Sequence, residues 1–506
     1  MSEALPGVPA PPPHAPPRDA SAVILFRRAA TGVEVFWLER EAKLQFAGGF
    51  FAFPGGKVDT ADAAIAVEGA AVELARFLVA AAREVFEETG VLLAHGPALT
   101  QERRDALRRE LLDEKVGFAQ VLSAHQLTLR ASDFHAAGRW ITPSYLPRGF
   151  DARFFLVEAP TDQRAEVWKG ELTDGEWITP AEALKRWEAG SALLHPPNLH
   201  AMQVMARFTT LERAALELSQ PPHCTDFIAE RIEFQRGVML YPMLTPTLPP
   251  ATHTATYVLG TGDCVLVDPG SPDEALIDGL VRFLGTIPEL KPKAIVLTHH
   301  HGDHLGGLEH LVKRTGLPVW AHARTADRSP VPVARVLAEG DVIELSGGWP
   351  MKWHVLHTPG HARGHVTLVD EGSRAAVVGD MVAGVGTIVI DPPEGDMAEY
   401  LRQLERLEAL PVRTIYPAHG PVQPDGPAKL REYLLHRAWR EAKVLDALAT
   451  FGDAGATLSE LVERAYDDVA AFIWPIAERN TQAILEKLVA ESRARRDGES
   501  VMLTAR

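Results

Sequence analysis

The chain has 506 residues, of which 46% are hydrophobic and 23% charged. This composition is typical of folded chains and excludes wholesale disorder or a fibrous repeat. At about 150 residues per domain, the length predicts three domains, or two with large insertions. The 51 basic and 67 acidic side chains give a net charge of −16, which disfavours nucleic-acid binding through overall charge but leaves a local basic groove open.

Cysteine content and hydropathy bear on the compartment. Two cysteines, Cys224 and Cys264, exclude a disulfide framework and predict a reducing environment. No apolar run approaches the roughly 18 residues that a membrane helix needs, and the first residues lack the pattern of a signal peptide. We therefore expect a cytoplasmic protein that does not enter the membrane. The sequence leaves its oligomeric state open.

The N-terminal part begins with a proline-rich stretch without periodicity, residues 1–19, which we predict to be a disordered tail. Strand-like runs AVILF and VEVFWL follow, then a glycine-rich loop ending in FPGG, then an alanine-rich helical stretch ending in REVFEETG. Residues 101–125 are predicted to be helical. We expect a first domain over residues 20–218.

The remaining chain divides by pattern into two further domains. From residue 225 to 427, apolar runs such as CVLVD, AIVLT and AAVVGD alternate with helical segments, which predicts a layered α/β domain. Residues 428–506 contain a helical pattern around Leu434–Leu448, a capping box at Thr457–Glu460, a second helical run at Thr481–Ser492 and the strand-like VMLT. Helices followed by a small hairpin predict a winged-helix module.

The motif THHHGDH is the strongest sign of chemistry, because it directly follows the strand-like run Ala294–Leu297. A strand that ends in a turn at Gly302 can direct His299 and His301 to one metal ion and Asp303 and His304 to a neighbouring one. Imidazole and carboxylate groups bind borderline cations such as zinc.

Further ligands are expected at the ends of later strands, where apolar runs meet glycine turns. The candidates are His361 in HTPGH, Asp380 in AAVVGD and His419 in YPAHG. These motifs, in this order, resemble the metallo-β-lactamase superfamily across roughly residues 230–427, which implies an αββα sandwich. The resemblance implies one Zn²⁺ held by His299, His301 and His361, a second held by Asp303, His304 and His419, and Asp380 bridging the two.

In such a site two cations lower the pKa of a bridging water, so that hydroxide is available near pH 7 to attack a carbonyl or phosphoryl centre. The resemblance implies that Asp303 orients this hydroxide as a catalytic residue. True zinc β-lactamases carry a cysteine at the place of Asp380, and flavodiiron reductases carry a glutamate at the place of His301, so neither activity is expected. The hydrolase branch of the superfamily remains.

The C-terminal pattern HRAWREAKVLDAL and the winged helix after it resemble β-lactamase-like proteins whose best-known members cut single-stranded RNA. Arg437, Arg440 and Lys443 recur at helical spacing and could line an RNA groove. The alternative is a solvated helix face, and residues 431–506 carry more acidic than basic side chains. The charge therefore disfavours RNA without excluding it.

The N-terminal motif REVFEETG places Glu84, Glu87 and Glu88 on one face of a helix. Three carboxylates so close together favour a hard cation, Mg²⁺ or Mn²⁺, that can bridge to substrate phosphates. Together with FPGG upstream, the motif resembles the Nudix hydrolases, which split nucleoside diphosphates by attack of water on phosphorus. The resemblance implies an α/β/α sandwich, Mg²⁺ or Mn²⁺ ligands at all three glutamates, and a catalytic role for Glu84.

About 13 extra residues separate the glycine of FPGG from Arg83, relative to the usual Nudix box. Asp62, Glu68 or Glu73 could replace the first glutamate of that box. The insertion resembles the Nudix subgroup that hydrolyses coenzyme A and its thioesters. Glu171 and Glu176 could add a ligand or a base, or be ordinary surface acids.

The leading hypothesis is a bifunctional metal-dependent hydrolase. Its substrates would be a coenzyme A-like or other nucleoside diphosphate at the Nudix site, and a thioester or phosphodiester, such as an acyl-coenzyme A, at the zinc site. The alternative is a zinc-dependent endoribonuclease for single strands, whose Nudix half binds a nucleotide and regulates without catalysis.

Overall fold

The computed structural model describes residues 16–30, 32–42, 44, 48–143, 146, 149–170 and 172–504. Within these residues the chain forms two compact units, one ending at Arg236 and the other spanning Gly237–Arg506. Residues 1–15 of the predicted tail lie outside the described part. Arg18 and Asp19, which we assigned to that tail, instead begin the first strand.

The first unit contains twelve strands and six α-helices among its described residues. The strands are β1 Arg18–Ala29, β2 Gly32–Arg40, β3 Phe51–Ala52, β4 Gly55–Lys57, β5 Val67–Glu68, β6 Leu129–Arg130, β7 His135–Ile141, β8 Phe150–Glu158, β9 Leu172–Ile178, β10 Cys224–Thr225, β11 Ile228–Ala229 and β12 Ile232–Gln235. The helices are α1 Val72–Thr89, α2 Gln101–Leu112, α3 Phe118–Ala124, α4 Pro180–Glu188, α5 Pro196–Met205 and α6 Leu211–Leu218.

Alternation along β1 explains the layers of this unit. Its main sheet has the order β3-β2-β1-β8-β7, with β4 paired to β1 and β9 to β2. Val23 and Leu25 pack into a core with α1, α2 and α3, whereas Ile24 and Phe26 pack into a second core with α4, α5 and α6. Successive side chains of a strand point to opposite faces, so an apolar run covers both. The predicted α/β/α sandwich is confirmed.

In its described residues, the second unit contains thirteen strands and eight α-helices. The strands are β13 Val238–Leu244, β14 His253–Leu259, β15 Asp263–Val267, β16 Lys291–Val296, β17 Val319–His322, β18 Val333–Leu337, β19 Val342–Leu345, β20 Met351–His357, β21 Val366–Asp370, β22 Ala375–Gly379, β23 Thr414–Pro417, β24 Ala494–Asp497 and β25 Ser500–Leu503. The helices are α7 Glu274–Gly285, α8 Gly302–Leu305, α9 Leu308–Thr315, α10 Ala323–Ala326, α11 Met397–Ala409, α12 Gly426–Phe451, α13 Leu458–Ala465 and α14 Trp474–Ala490.

Two sheets form the centre of the second unit. One contains β13 to β18 in sequence order and the other β19 to β23. Tyr257 in β14 meets Tyr416 in β23 with ring centroids 5.7 Å apart, so the sheets face each other. Helices α7 and α9 pack on the first sheet and α11 on the second. The predicted αββα sandwich is confirmed.

The C-terminal part consists of α12, α13, α14 and the hairpin β24–β25, as predicted for a winged helix. The capping box is present: Thr457 N donates to Glu460 Oε2 at 2.8 Å, and Glu460 N donates to Thr457 Oγ1 at 3.4 Å. This part shares one hydrophobic core with β22, β23 and α11. The boundaries predicted near residues 218, 225 and 427 stay predictions.

None of the described helices combines the length and the apolar character required to span a lipid bilayer.

Candidate functional site

The histidines and aspartates predicted from the sequence all lie near the ends of strands in the second unit. The segment after β16 carries His299 and His301, and His301 caps the short helix α8, which carries Asp303 and His304. His361 lies shortly after β20, and Asp380 and His419 lie directly after β22 and close behind β23. Because these strands end at the same edge of the two sheets, the side chains can meet there.

One group of nitrogen atoms comes from three histidines. His301 Nδ1 is 3.0 Å from His299 Nε2 and 2.9 Å from His361 Nε2. Four ligands placed tetrahedrally around a zinc ion at its usual bond length would be about 3.3 Å apart. The spacing of the three nitrogens is therefore close to what a single ion requires.

A second group contains Asp303, His304 and His419. His419 Nε2 is 3.4 Å from Asp303 Oδ2. Asp380 reaches both groups, since its Oδ1 is 3.3 Å from His304 Nε2 while its Oδ2 is 3.4 Å from His361 Nε2. The structure thus brings together all seven predicted residues of this site, with Asp380 between the two groups. Their assignment as metal ligands stays a prediction.

Burial and unsatisfied polar atoms show that this cluster fits metal ions. His299 and His304 are fully buried, and Asp380 is nearly so. Among the described residues, no hydrogen-bond partner is found for His304 Nε2 or Asp380 Oδ1. A buried polar atom left unpaired costs about 1–3 kcal/mol, and a divalent cation would satisfy both atoms. The donor set of imidazoles and carboxylates suits such a cation.

Two buried residues that the sequence analysis missed support the cluster. Asp268 accepts from His304 Nδ1 at 2.9 Å and from Thr298 Oγ1 at 2.6 Å. His365 Nε2 accepts from the backbone N–H of Asp380 at 3.1 Å. Such partners fix the ring orientation and the tautomer of a ligand. Asp268 ends the apolar run CVLVD ahead of a Pro-Gly turn, the same pattern as the predicted ligands, so it could have been found.

Electrostatics keep the two carboxyl groups of the cluster ionised. Burial favours the neutral acid, but the charges of His419 and His304 outweigh it and hold the pKa of Asp380 well below its usual value. The pKa of Asp303 is also lowered, because His304 and a hydrogen bond from His419 outweigh its burial. Burial lowers the pKa of His419, but Asp380 and Asp303 raise it to about 10.

In the first unit, α1 carries the three predicted glutamates beside the FPGG turn. Glu88 Oε2 accepts from the backbone N–H of Gly55 at 2.9 Å. Arg83 Nη1 donates to Glu84 Oε1 at 2.8 Å and to Glu87 Oε2 at 3.1 Å. Arg83 therefore neutralises part of the negative charge that we had expected a metal cation to neutralise. Within the described residues, a compact group of three ligand atoms is found only in the second unit.

The structure identifies Asp62 as the partner of Arg83. Asp62 is buried, and its carboxylate accepts from Arg83 Nε and Nη2, each at 3.0 Å. Glu68 instead bonds Arg130, and Glu73 is exposed. Of the three candidates for the first acid of the Nudix box, Asp62 is the one that pairs with Arg83, and its assignment to that box stays a prediction.

Burial raises the pKa of Glu84 to about 7, and the neighbouring Glu87 adds to this while Arg83 opposes it. Burial, together with the charge of Glu84, raises the pKa of Glu88 to about 8. Carboxyl groups with raised pKa values hold their protons near neutral pH. A bound cation can replace these protons and stabilise the ionised carboxylates. These two partly buried acids therefore support a cation site on α1.

The sequence suggested that three basic residues of α12 line an RNA groove or form a solvated helix face. Both interpretations are wrong for two of these residues. Arg437 and Arg440 are buried, so they neither line a groove nor form a solvated face. Arg440 donates to the Ala465 carbonyl and pairs with Asp468, because interior carbonyls and acids of neighbouring elements need donors. Lys443 also pairs with Asp468.

Of the two further glutamates considered for the Nudix site, Glu176 pairs with Arg186, and Glu171 lies outside the described residues.

Family models match three stretches of the chain. These are the metallo-beta-lactamase superfamily over residues 248–419, the NUDT19 Nudix domain over residues 68–205 and the beta-lactamase associated winged helix domain over residues 457–501. The Nudix match contains the three glutamates of α1 but begins after FPGG and Asp62.

Individual proteins are similar to parts of the chain. A protein named Beta-lactamase-like protein 2 homolog from Caenorhabditis elegans is 30% identical, over 46% of this chain and 78% of its own length. One named Atrochrysone carboxyl ACP thioesterase from Aspergillus chevalieri is 31% identical, over 47% of this chain and 76% of its own. The crystal structure of a Nudix hydrolase from Alicyclobacillus acidocaldarius shares 25% identity, covering 41% of this chain and 98% of that one, with a TM-score of 0.35.

The family models and the extent of these relatives agree with the architecture described above. The chain belongs to the metallo-β-lactamase superfamily, as a hydrolase that carries a Nudix domain before the metallo-β-lactamase fold and a winged helix after it.

Proposed function

We propose that the chain is a bifunctional metal-dependent hydrolase: a dinuclear zinc thioesterase in the second unit and a Mg²⁺- or Mn²⁺-dependent diphosphatase in the first. The observation that carries the proposal is the pair of ligand groups around Asp380, in which three nitrogens lie within 3.0 Å of their neighbours. The relative named as an acyl-carrier-protein thioesterase, at 31% identity, favours a thioester such as an acyl-coenzyme A as its substrate.

At the zinc site, bound cations would supply hydroxide near neutral pH and polarise the thioester carbonyl. The chain's own residues do the rest. Asp303 keeps a low pKa and therefore stays a carboxylate that can orient the attacking water. Asp268, which accepts a hydrogen bond from Thr298, holds His304 in the ring orientation that directs its Nε2 to Asp380.

At the Nudix site, Mg²⁺ or Mn²⁺ would link the carboxylates of α1 to the oxygens of a diphosphate. Glu84, Glu87 and Glu88 would hold the cation, and Arg83 keeps the first two in place. Glu84, as the catalytic residue of this site, would accept a proton from the attacking water. The substrate class is a nucleoside diphosphate derivative, with coenzyme A as the first choice.

An endoribonuclease with a regulatory Nudix half is the alternative, and the winged helix favours it. The burial of Arg437 and Arg440 removes two of the three basic residues that could have lined an RNA groove.

The test combines metal analysis with chromatography of the products from three incubations: coenzyme A, an acyl-coenzyme A and a single-stranded RNA. We expect two zinc ions per chain, release of the free acid from the acyl-coenzyme A and release of 3′,5′-ADP from coenzyme A. Cleavage of RNA without thioester hydrolysis would replace the thioesterase by the nuclease.

Paired variants assign each reaction to its site. Asp303→Asn should abolish thioester hydrolysis and leave the diphosphatase intact, whereas Glu87→Gln should do the reverse. Glu73→Gln on the exposed side of α1, and Asp453→Asn on the surface of the second unit, are the matched controls. A thioesterase that is unaffected by Asp303→Asn would refute the site.

A further inference from the structure

Residues 381–391 form a segment without helix or strand between Asp380 and α11. Despite this irregular backbone, Met381, Val382 and Ile390 are fully buried. Peptide groups buried in an irregular segment need partners outside it. The partners of this segment come from two sides, the predicted metal cluster and the winged-helix part.

Towards the cluster, the segment contacts two predicted ligands. The Val389 carbonyl accepts a hydrogen bond from His361 Nδ1 at 2.8 Å. The backbone N–H of Gly384 donates to the His419 carbonyl at 2.7 Å. The contact at Val389 has a chemical consequence: because His361 Nδ1 carries the proton, its Nε2 presents a lone pair to the cluster.

Towards the winged helix, the two residues that flank Val389 are held by buried side chains. Arg437 in α12 donates to the Ile388 carbonyl at 2.5 Å, and its Nη1 donates to Asn480 Oδ1 in α14 at 3.4 Å. The backbone N–H of Ile390 donates to the same Asn480 Oδ1 at 2.9 Å. Arg437 and Asn480 are 4% and 7% exposed, respectively.

We propose that Arg437 and Asn480 are positioning residues of the metal centre, and that the winged-helix part is a structural component of the hydrolase site. By fixing the peptide groups on both sides of Val389, they hold its carbonyl where it orients His361. This inference rests on the proposed function, because it requires that His361 binds a metal ion.

The experiment measures zinc binding in the full-length chain by competition with a chromogenic chelator, together with the visible spectrum of the cobalt-substituted protein. Arg437→Met and Asn480→Leu remove the two contacts. We expect each variant to bind the ion held by His361 about 10–100-fold more weakly and to alter the cobalt spectrum. Asn480→Asp keeps the acceptor oxygen and should restore binding.

Arg440→Met is the matched control for stability. Arg440 lies on the same helix and is equally buried, but it bonds Ala465 and Asp468 rather than the 381–391 segment. It should lower the unfolding temperature and leave zinc affinity and the cobalt spectrum unchanged.

Three results would overturn the inference. They are unchanged zinc affinity and spectrum in both Arg437→Met and Asn480→Leu, an equal loss in Arg440→Met, or no restoration by Asn480→Asp. If the unaltered chain binds no zinc pair, the proposed function fails first, and this is visible before any variant is compared. If Arg437→Met does not fold, Asn480→Leu and Asn480→Asp decide the matter.

Discussion

Two adjacent glycines in FPGG serve different purposes. A Cβ added at Gly55 would lie 2.3 Å from the Ser21 carbonyl in β1, whereas a Cβ added at Gly56 would lie 2.5 Å from the Glu84 carboxylate. The first clash is with backbone in the paired strand, which cannot move easily. The second is with the end of a side chain that we assign to catalysis.

The two positions should therefore respond differently to alanine. Gly56→Ala should displace the Glu84 carboxylate and reduce diphosphatase turnover about a hundredfold, with little change in unfolding temperature. Gly55→Ala should lower the unfolding temperature. Turnover assays and calorimetry check both, with Gly170→Ala as the control, since its Cβ would meet nothing within 4 Å. Full activity in Gly56→Ala would contradict the placement of Glu84.

The raised pKa values of Glu84 and Glu88 predict a pH dependence of stability. In the unfolded chain both groups titrate near pH 4.5, whereas in the folded chain they titrate at about 7 and about 8. Between these limits the native state binds more protons, so its stability falls as the pH rises through this range. When a chelator keeps the protein free of divalent cations, the unfolding temperature of the first unit should decrease from about pH 5 to pH 8.

Two additions should reduce this slope. Mg²⁺ should flatten it by replacing the protons, and Glu88→Gln should flatten it by removing one titrating group. Stability that rises with pH over the same range would contradict the raised pKa values of these two acids.

At the scale of elements, α1 holds its position because another helix binds its carboxyl end. Arg108 in α2 is buried and donates to the carbonyls of Glu87 and Glu166 at 2.9 and 2.8 Å. Helix ends leave carbonyls without partners, and Gly90 ends α1 in the left-handed conformation with φ of 74°. Arg108 thus links the carboxyl end of α1 to the segment that contains Glu166.

Arg108→Met should remove both bonds and leave the carbonyls buried, at a cost of about 2 kcal/mol or more in the free energy of unfolding. Denaturant titration of the full chain measures this. Arg109→Met, at the exposed neighbouring position, should change the free energy by less than about 0.5 kcal/mol. Equal effects of the two variants would show that Arg108 does not support α1.

At the scale of the whole molecule, the winged helix shares its core with the hydrolase fold. Ala376 and Val378 of β22 belong to the same buried cluster as Leu461 and Val462 of α13 and Val501 of β25. Apolar area in one continuous core contributes to the stability of both parts.

Removal of the winged-helix part, in a chain that ends at Pro427, should therefore also destabilise the hydrolase fold. Its second unit should no longer unfold cooperatively and should bind no zinc, because the cluster in the core is exposed and the 381–391 segment loses its partners. Calorimetry and metal analysis of the shortened chain check this, with the diphosphatase of the first unit as an internal control. A shortened chain that binds two zinc ions would refute the shared core as a requirement.

Much of the fold and of the site was predictable because it depends on local patterns. Period and capping predicted α1 and the C-terminal helices, since burial follows the 3.6-residue and 2-residue repeats, whereas the two sandwich folds were implied by the family resemblances. Motifs at strand ends predicted Asp380 and the six residues around it, because the strands of the two facing sheets end at a common edge.

What the tertiary structure decided are the partners that lie far apart in sequence. Asp62 pairs with Arg83 across the insertion, Asp268 and His365 support predicted ligands, and Arg437 is an interior donor rather than a surface cation. Local pattern determines which residue types occur at which face of an element. Which charge is buried against which carbonyl depends on how the elements pack, because a buried polar group takes its partner from whatever segment the packing brings within hydrogen-bond distance.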